Sequence, residues 1–133
     1  MAAPTIKGEM FSITIDGPRA EIRIWRRPDL DSATGALNAE RISTEAGKLA
    51  ARGVRAVLLD VREAPAVAGP KTVVSLSTMM KDWAKAHLRV AILVNDDPIK
   101  VLQYTRVMTE NAPRGSRVIT DALEAKGWLA SVV

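Results

Sequence analysis

Val54-Arg55-Ala56-Val57-Leu58-Leu59-Asp60-Val61 is the stretch on which the fold turns. Apart from Arg55 it is apolar up to Asp60, with no alternation between faces. Such a run fits a strand covered on both sides by other elements, as in a parallel sheet. Leu88-Arg89-Val90-Ala91-Ile92-Leu93-Val94 repeats the pattern and closes on Asn95-Asp96-Asp97-Pro98. Leu58 and Ile92, at the middles of the two runs, are expected to be almost wholly inaccessible to solvent.

Working outward, a loop with Pro65 and Gly69-Pro70 separates the first run from a helix predicted over residues 71–86. Its inward stripe is Val73, Leu76, Met80, Trp83 and Ala84. Upstream, residues 34–52 read as a helix with Leu37, Ile42, Ala46, Leu49 and Ala50 inward. Arg41, Thr44, Lys48 and Arg52 then face water, and Gly53 stops the helix. Downstream, Pro98 suits the first turn of a third helix reaching to about residue 110, capped by Asp96 or Asp97. Residues 117–119 form a short strand, and Asp121-Ala122-Leu123-Glu124 is a capping box that opens a terminal helix. At the start of the chain, Met10-Phe11-Ser12-Ile13-Thr14-Ile15 and Ala20-Glu21-Ile22-Arg23-Ile24-Trp25 both alternate. With Asp16-Gly17-Pro18-Arg19 between them they form an antiparallel hairpin with one wet face. The order is β-β-α-β-α-β-α-β-α. It predicts one α/β domain over residues 1–133, a mixed, mostly parallel five-stranded sheet with helices packed on it.

Composition narrows the chemistry. The 133 residues are 47% hydrophobic and 26% charged, a globular balance. Aromatics are only 4%, so the core is aliphatic. Cysteine is absent, which removes disulfides, thiol nucleophiles and zinc-thiolate sites. The single histidine, His87, has no evident orienting partner and reads as structural rather than as a general base. The opening MAAPTIKGEM has no signal-sequence pattern, and the apolar runs fall far short of the ~20 residues that cross a bilayer. The expectation is a cytoplasmic protein without a membrane span.

Ligands in an open parallel sheet gather beyond the carboxyl ends of the strands. Those ends carry Asp60, Arg62 and Glu63 after one strand and Asn95, Asp96 and Asp97 after the next. Gly69, Lys71 and Thr72 stand near the start of the intervening helix, where backbone N–H groups favour an anion. These nine residues are the ligand-binding candidates. The competing reading is that Asp96 and Asp97 merely cap a helix while Asp60 accepts loop N–H groups. Gly69-Pro70-Lys71-Thr72 is not a phosphate-binding loop, because Pro70 interrupts Gly-Lys-Thr and Ala64 stands where the earlier glycine belongs. The acidic trio Asp60, Asp96 and Asp97 is too common a pattern to mark a magnesium site. Neither a catalytic constellation nor a cofactor motif is present, so the expectation is no enzyme and no cofactor.

Arg23-Ile24-Trp25-Arg26-Arg27 sets basic charge beside an aromatic, but Asp29 and Asp31 follow at once and the net charge is only +4. Nucleic acid is not an expected partner. The third helix carries more apolar residues than one buried stripe needs. With Val101, Leu102, Thr105 and Met108 toward the sheet, Ile99, Tyr104 and Val107 are left over. They are either a homodimer interface anchored on Tyr104 or core under the terminal helix with Trp128 and Leu129.

In order of elements the chain resembles a STAS-type domain, specifically the SpoIIAA-like group classed with the lipid-binding Sec14 fold. Three segments carry the likeness. Ala56-Val57-Leu58-Leu59-Asp60 resembles the family's central strand ending in Asp, and Arg89-Val90-Ala91-Ile92-Leu93-Val94 resembles the next. Arg117-Val118-Ile119-Thr120-Asp121, with Glu124-Ala125 and Trp128-Leu129, is similar to a recurrent ending. The resemblance implies a non-enzymatic regulatory module akin to anti-sigma-factor antagonists, presenting residues 69–81 to a protein partner and self-associating. Alternatively it implies a carrier for a small apolar or lipid-like ligand. One departure is plain. Gly69-Pro70 stands where antagonists place a phosphorylatable Asp-Ser pair, with only Thr72 and Ser75 as nearby hydroxyls.

Overall fold

The long apolar run forms a strand whose alternate residues serve two different cores. The structure is a computed structural model that describes residues 5–64 and 70–131. Among these residues six strands build one sheet: β1 (Thr5–Lys7), β2 (Phe11–Asp16), β3 (Arg19–Trp25), β4 (Ala56–Glu63), β5 (Arg89–Leu93) and β6 (Ser116–Ile119). Four α-helices connect or follow them: α1 (Ser32–Gly47), α2 (Pro70–Lys85), α3 (Pro98–Asn111) and α4 (Ala122–Ala130). The expected mixed α/β architecture is present with six strands instead of five. The addition is β1, a three-residue edge strand paired antiparallel to β2 (Thr5↔Thr14) and too short to show a pattern in sequence.

The strands lie in chain order, β1-β2-β3-β4-β5-β6. Pairing is antiparallel from β1 to β3 and parallel from β3 to β6. Three crossovers of one hand that step in one direction set α1, α2 and α3 on the same face. Val57, Leu59 and Val61 of β4 and Val90 and Ile92 of β5 meet that helical layer in the main core. The alternate residues Ala56, Leu58, Ala91 and Leu93 meet α4 in a second, smaller core on the other face. Leu58 and Ile92 are both buried, as the sequence requires.

Local chemistry sets the helix ends. Asp31 accepts the Thr34 N–H at 2.8 Å, Asp97 the Ile99 N–H at 2.9 Å and Asp121 the Glu124 N–H at 3.0 Å, three side-chain N-caps. Gly53 ends the 3-10 turn Ala50–Arg52 at φ 86°. The C-terminus of α2 is closed by His87, held left-handed at φ 59°. Its N–H donates to the Ala84 carbonyl and that of Leu88 to the Trp83 carbonyl, a Schellman stop usually built on glycine.

Candidate functional site

Most of the charged candidates at the strand ends bond to one another or to backbone. Asp60 is buried and accepts the Arg62 amide at 3.1 Å, Nε at 3.0 Å and a guanidinium N–H at 2.8 Å. Burial disfavours the charged carboxylate. The Arg62 fork and amide, with the Arg23 charge, outweigh it and hold Asp60 below the usual carboxylate range. Glu63 pairs with Arg23 at 3.1 Å in solvent. Asn95 donates to the Arg62 carbonyl at 3.3 Å, and Asp97 is the cap of α3. Asp96 is exposed. Among the described residues, no three carboxylates or histidines converge as a metal-holding group. Gly69 lies outside the described residues, as does the side chain of Lys71.

A residue not singled out in the sequence sits among them. Lys100 is 4% exposed, and its ammonium donates to the carbonyls of Val61 (2.7 Å), Ala64 (2.8 Å) and Arg62 (3.1 Å). Those are all three of its donors. Burial lowers its pKa, while Asp97 and Asp60 pull the other way. The side chain stitches α3 to the end of β4.

Lys100, Tyr104 and Val107 share one face of α3, and all three are buried. This corrects two expectations. Tyr104 and Val107 face the main core, where α2 rather than the terminal helix covers them, so neither is a surface anchor. Leu102, expected against the sheet, is 61% exposed, and Ile99 is 62% exposed. The basic segment is also occupied: Trp25 Nε1 donates to the Glu9 carbonyl at 3.0 Å, and Arg27 forks onto Asp29 at 2.8 and 2.6 Å.

Thr72 belongs to a different feature. Between the N-terminal halves of α1 and α2, beside the ends of β3 and β4, is an apolar pocket of about 240 Å³. Ile24, Ile42, Leu76 and Met79 form much of its wall, with Gly35, Ala36 and Ala39 of α1 leaving it open. The hydroxyl residues Ser32, Thr72 and Ser75 line it too, none of them buried. Asn38 is buried and committed: its amide donates to the Thr34 carbonyl at 3.0 Å and to Glu9 at 3.4 Å, and its oxygen accepts the Met10 N–H at 3.3 Å. Tyr104, 5% exposed, completes the wall. Its hydroxyl makes no hydrogen bond among the described residues, and burial drives its pKa above the ordinary phenol range.

One signal in the sequence pointed here. Gly35 lies inside a helix, where glycine costs about 0.5–1 kcal/mol relative to alanine. A Cβ built on it meets nothing within 4 Å. No protein-family model matches the chain, and no curated protein matches it. Among the described residues, no helix is long and apolar enough to cross a membrane.

Proposed function

We propose that the protein is a non-catalytic, cytoplasmic binding domain that takes up a small, largely apolar ligand between α1 and α2. The observation that carries this reading is the 240 Å³ pocket, apolar along its wall and bordered by hydroxyls. Binding sites of this kind are concave, mostly apolar and supplied with few polar groups. The resemblance to STAS-type domains classed with the Sec14 fold agrees with a ligand-holding role. A monotonic strand order has no point where the sheet reverses direction, so the crevice of doubly wound folds has no counterpart here. The gap between two helices on one face takes its place.

The test is a fluorescence titration with N-phenyl-1-naphthylamine, a neutral apolar dye, against the protein and its Gly35→Leu variant. Saturable enhancement is expected for the protein. The variant, whose new side chain enters open space, should lose at least about tenfold in affinity without a lower melting temperature. Absence of saturation, or equal binding by the variant, overturns the reading.

A second reading, a STAS-like regulatory module docking a protein partner, is favoured by exposed Val74 of α2 and Leu37 of α1, which line one shallow groove. Self-association through α3 would rest on Ile99 with Leu102, the apolar residues of that helix left in solvent.

A further inference from the structure

We propose that the pocket selects an uncharged ligand of roughly ten non-hydrogen atoms, with one polar head that pairs with the Tyr104 hydroxyl. This rests on the reading of the pocket as a ligand site and adds the chemical class. Size comes first. A dry cavity of ~150 Å³ houses benzene, so about 240 Å³ suits a molecule somewhat larger, such as one substituted ring or an eight- to ten-carbon chain. Two-chain lipids do not fit.

Charge comes second. No described lining residue is ionisable apart from Tyr104, and a phenol stays neutral through the physiological range. The buried cation nearest in sequence along the same face of α3 is Lys100, one turn before Tyr104. Its three N–H donors already serve the Val61, Arg62 and Ala64 carbonyls. A carboxylate or phosphate head would therefore be buried without a counter-ion, which strongly disfavours it.

Polarity comes third. Asn38 is engaged with Glu9, Met10 and Thr34. The Tyr104 side chain is buried in the wall of the pocket, and its hydroxyl bonds to no described residue yet keeps accessible surface, since the one sealed-off polar side-chain atom without a partner among those residues is Ser116 Oγ. That hydroxyl is free to pair with an alcohol, carbonyl or ether oxygen brought by the ligand, in place of water.

The experiment is a two-dimensional NMR titration of the full chain at pH 7 with 1-octanol and, separately, octanoate. 1-Octanol should shift the amides of Gly35, Ala36, Thr72 and Ser75 saturably, and octanoate should bind at least about tenfold more weakly. Tyr104→Phe should weaken 1-octanol by about three- to tenfold. Tyr104 is the chain's one tyrosine, so a 13Cζ-labelled tyrosine reports its hydroxyl directly. That single signal should move with 1-octanol even if the Phe variant folds poorly. Octanoate binding as tightly as 1-octanol overturns the proposal, and more so if Lys100→Met abolishes it. A static tyrosine signal, or no 1-octanol binding, overturns it too. If the naphthylamine dye still binds in those cases, the pocket stands and only its assigned ligand class fails.

Discussion

The two ends of the α1–α2 pair solve the same packing problem in opposite ways. Both helices follow strands of the same direction and cross the same sheet face, so their C-terminal ends meet each other and their N-terminal ends likewise. At the C-terminal ends the contact is tight. Trp83, 1% exposed, donates its indole N–H to the Ala46 carbonyl at 3.0 Å. The missing side chain of Gly47 lets the Asp82 carboxylate come within 3.1 Å of where a Cβ would stand. At the N-terminal ends Gly35 and Ala36 face Thr72 and Ser75, and the space between them stays open as the pocket. Small residues permit closure at one end and prevent it at the other. The difference is the partner: a large indole fills the closed end, and short hydroxyl side chains border the open one.

The closed end should carry the larger energy. Trp83→Ala removes the biggest fully buried side chain and should cost about 3–5 kcal/mol, read by urea denaturation. Trp83→Phe keeps most of the volume and drops the hydrogen bond, for a loss nearer 1 kcal/mol. Near-equal losses would show that the indole N–H, rather than its bulk, closes this end.

At the open end the ordering force is Lys100. Lys100→Met should cost about 2–3 kcal/mol, because three carbonyls at the end of β4 lose their donor. Hydrogen exchange should speed up at Ala64 and Thr72 while the amides around Trp83 stay protected. Uniform acceleration would mean that the two ends do not respond separately.

Arg62 gives a pH test at the same edge of the sheet. Asp60 has a depressed pKa in the fold, so its contribution is complete above the unfolded value, ~3.9, and is lost as pH falls below it. Arg62→Met strands the buried carboxylate. The variant should be about 1–2 kcal/mol less stable at pH 7, a modest figure because the Arg62 side chain is half in water. Below about pH 4 the gap between the two proteins should shrink. A gap independent of pH would show that the fork is not what Arg62 contributes.

How much of this the sequence reveals depends on whether hydrophobicity alone marks the buried face. It does in the strands: the unbroken runs around Leu58 and Ile92 identify a parallel sheet, and the alternation in the hairpin identifies its wet side. It fails at the N-terminal turns of α1 and α3. There a polar residue takes the inward position, Asn38 before Ile42 and Lys100 before Tyr104. The neighbouring apolar residue, Leu37 or Ile99, turns to solvent at 65% or 62% exposure. A stripe drawn through apolar residues is thus rotated by one position. Both polar residues point in because backbone groups await them: the Met10 amide and Thr34 carbonyl for Asn38, and the β4 carbonyls for Lys100. The Met10 amide and the β4 carbonyls are distant in the chain and leave no local trace. The pocket was hidden for a related reason, since its wall is drawn from four separate elements and the loop residues between them. Val73, also placed inward by the apolar stripe, is exposed on α2.

The finest probe of the comparison is one substitution made at both ends. Glycine to alanine inside a helix normally stabilises by about 0.5–1 kcal/mol, largely by restricting the unfolded chain. Gly35 sits in the first turns of α1 with nothing within 4 Å of a new Cβ, so Gly35→Ala should deliver that gain nearly in full. Gly47 is the last residue of α1, where helix propensity counts for less. Its Cβ would stand 3.1 Å from Asp82 Oδ2, so the carboxylate must give by a few tenths of an ångström. The two effects offset, and Gly47→Ala should change stability by less than about 0.5 kcal/mol in either direction. Adding Asp82→Ala to Gly47→Ala removes the crowding and should restore a small gain, whereas the same addition to Gly35→Ala should be simply additive. If Gly35→Ala destabilises, the space beside it is occupied in solution and the N-terminal ends are as closed as the C-terminal ones.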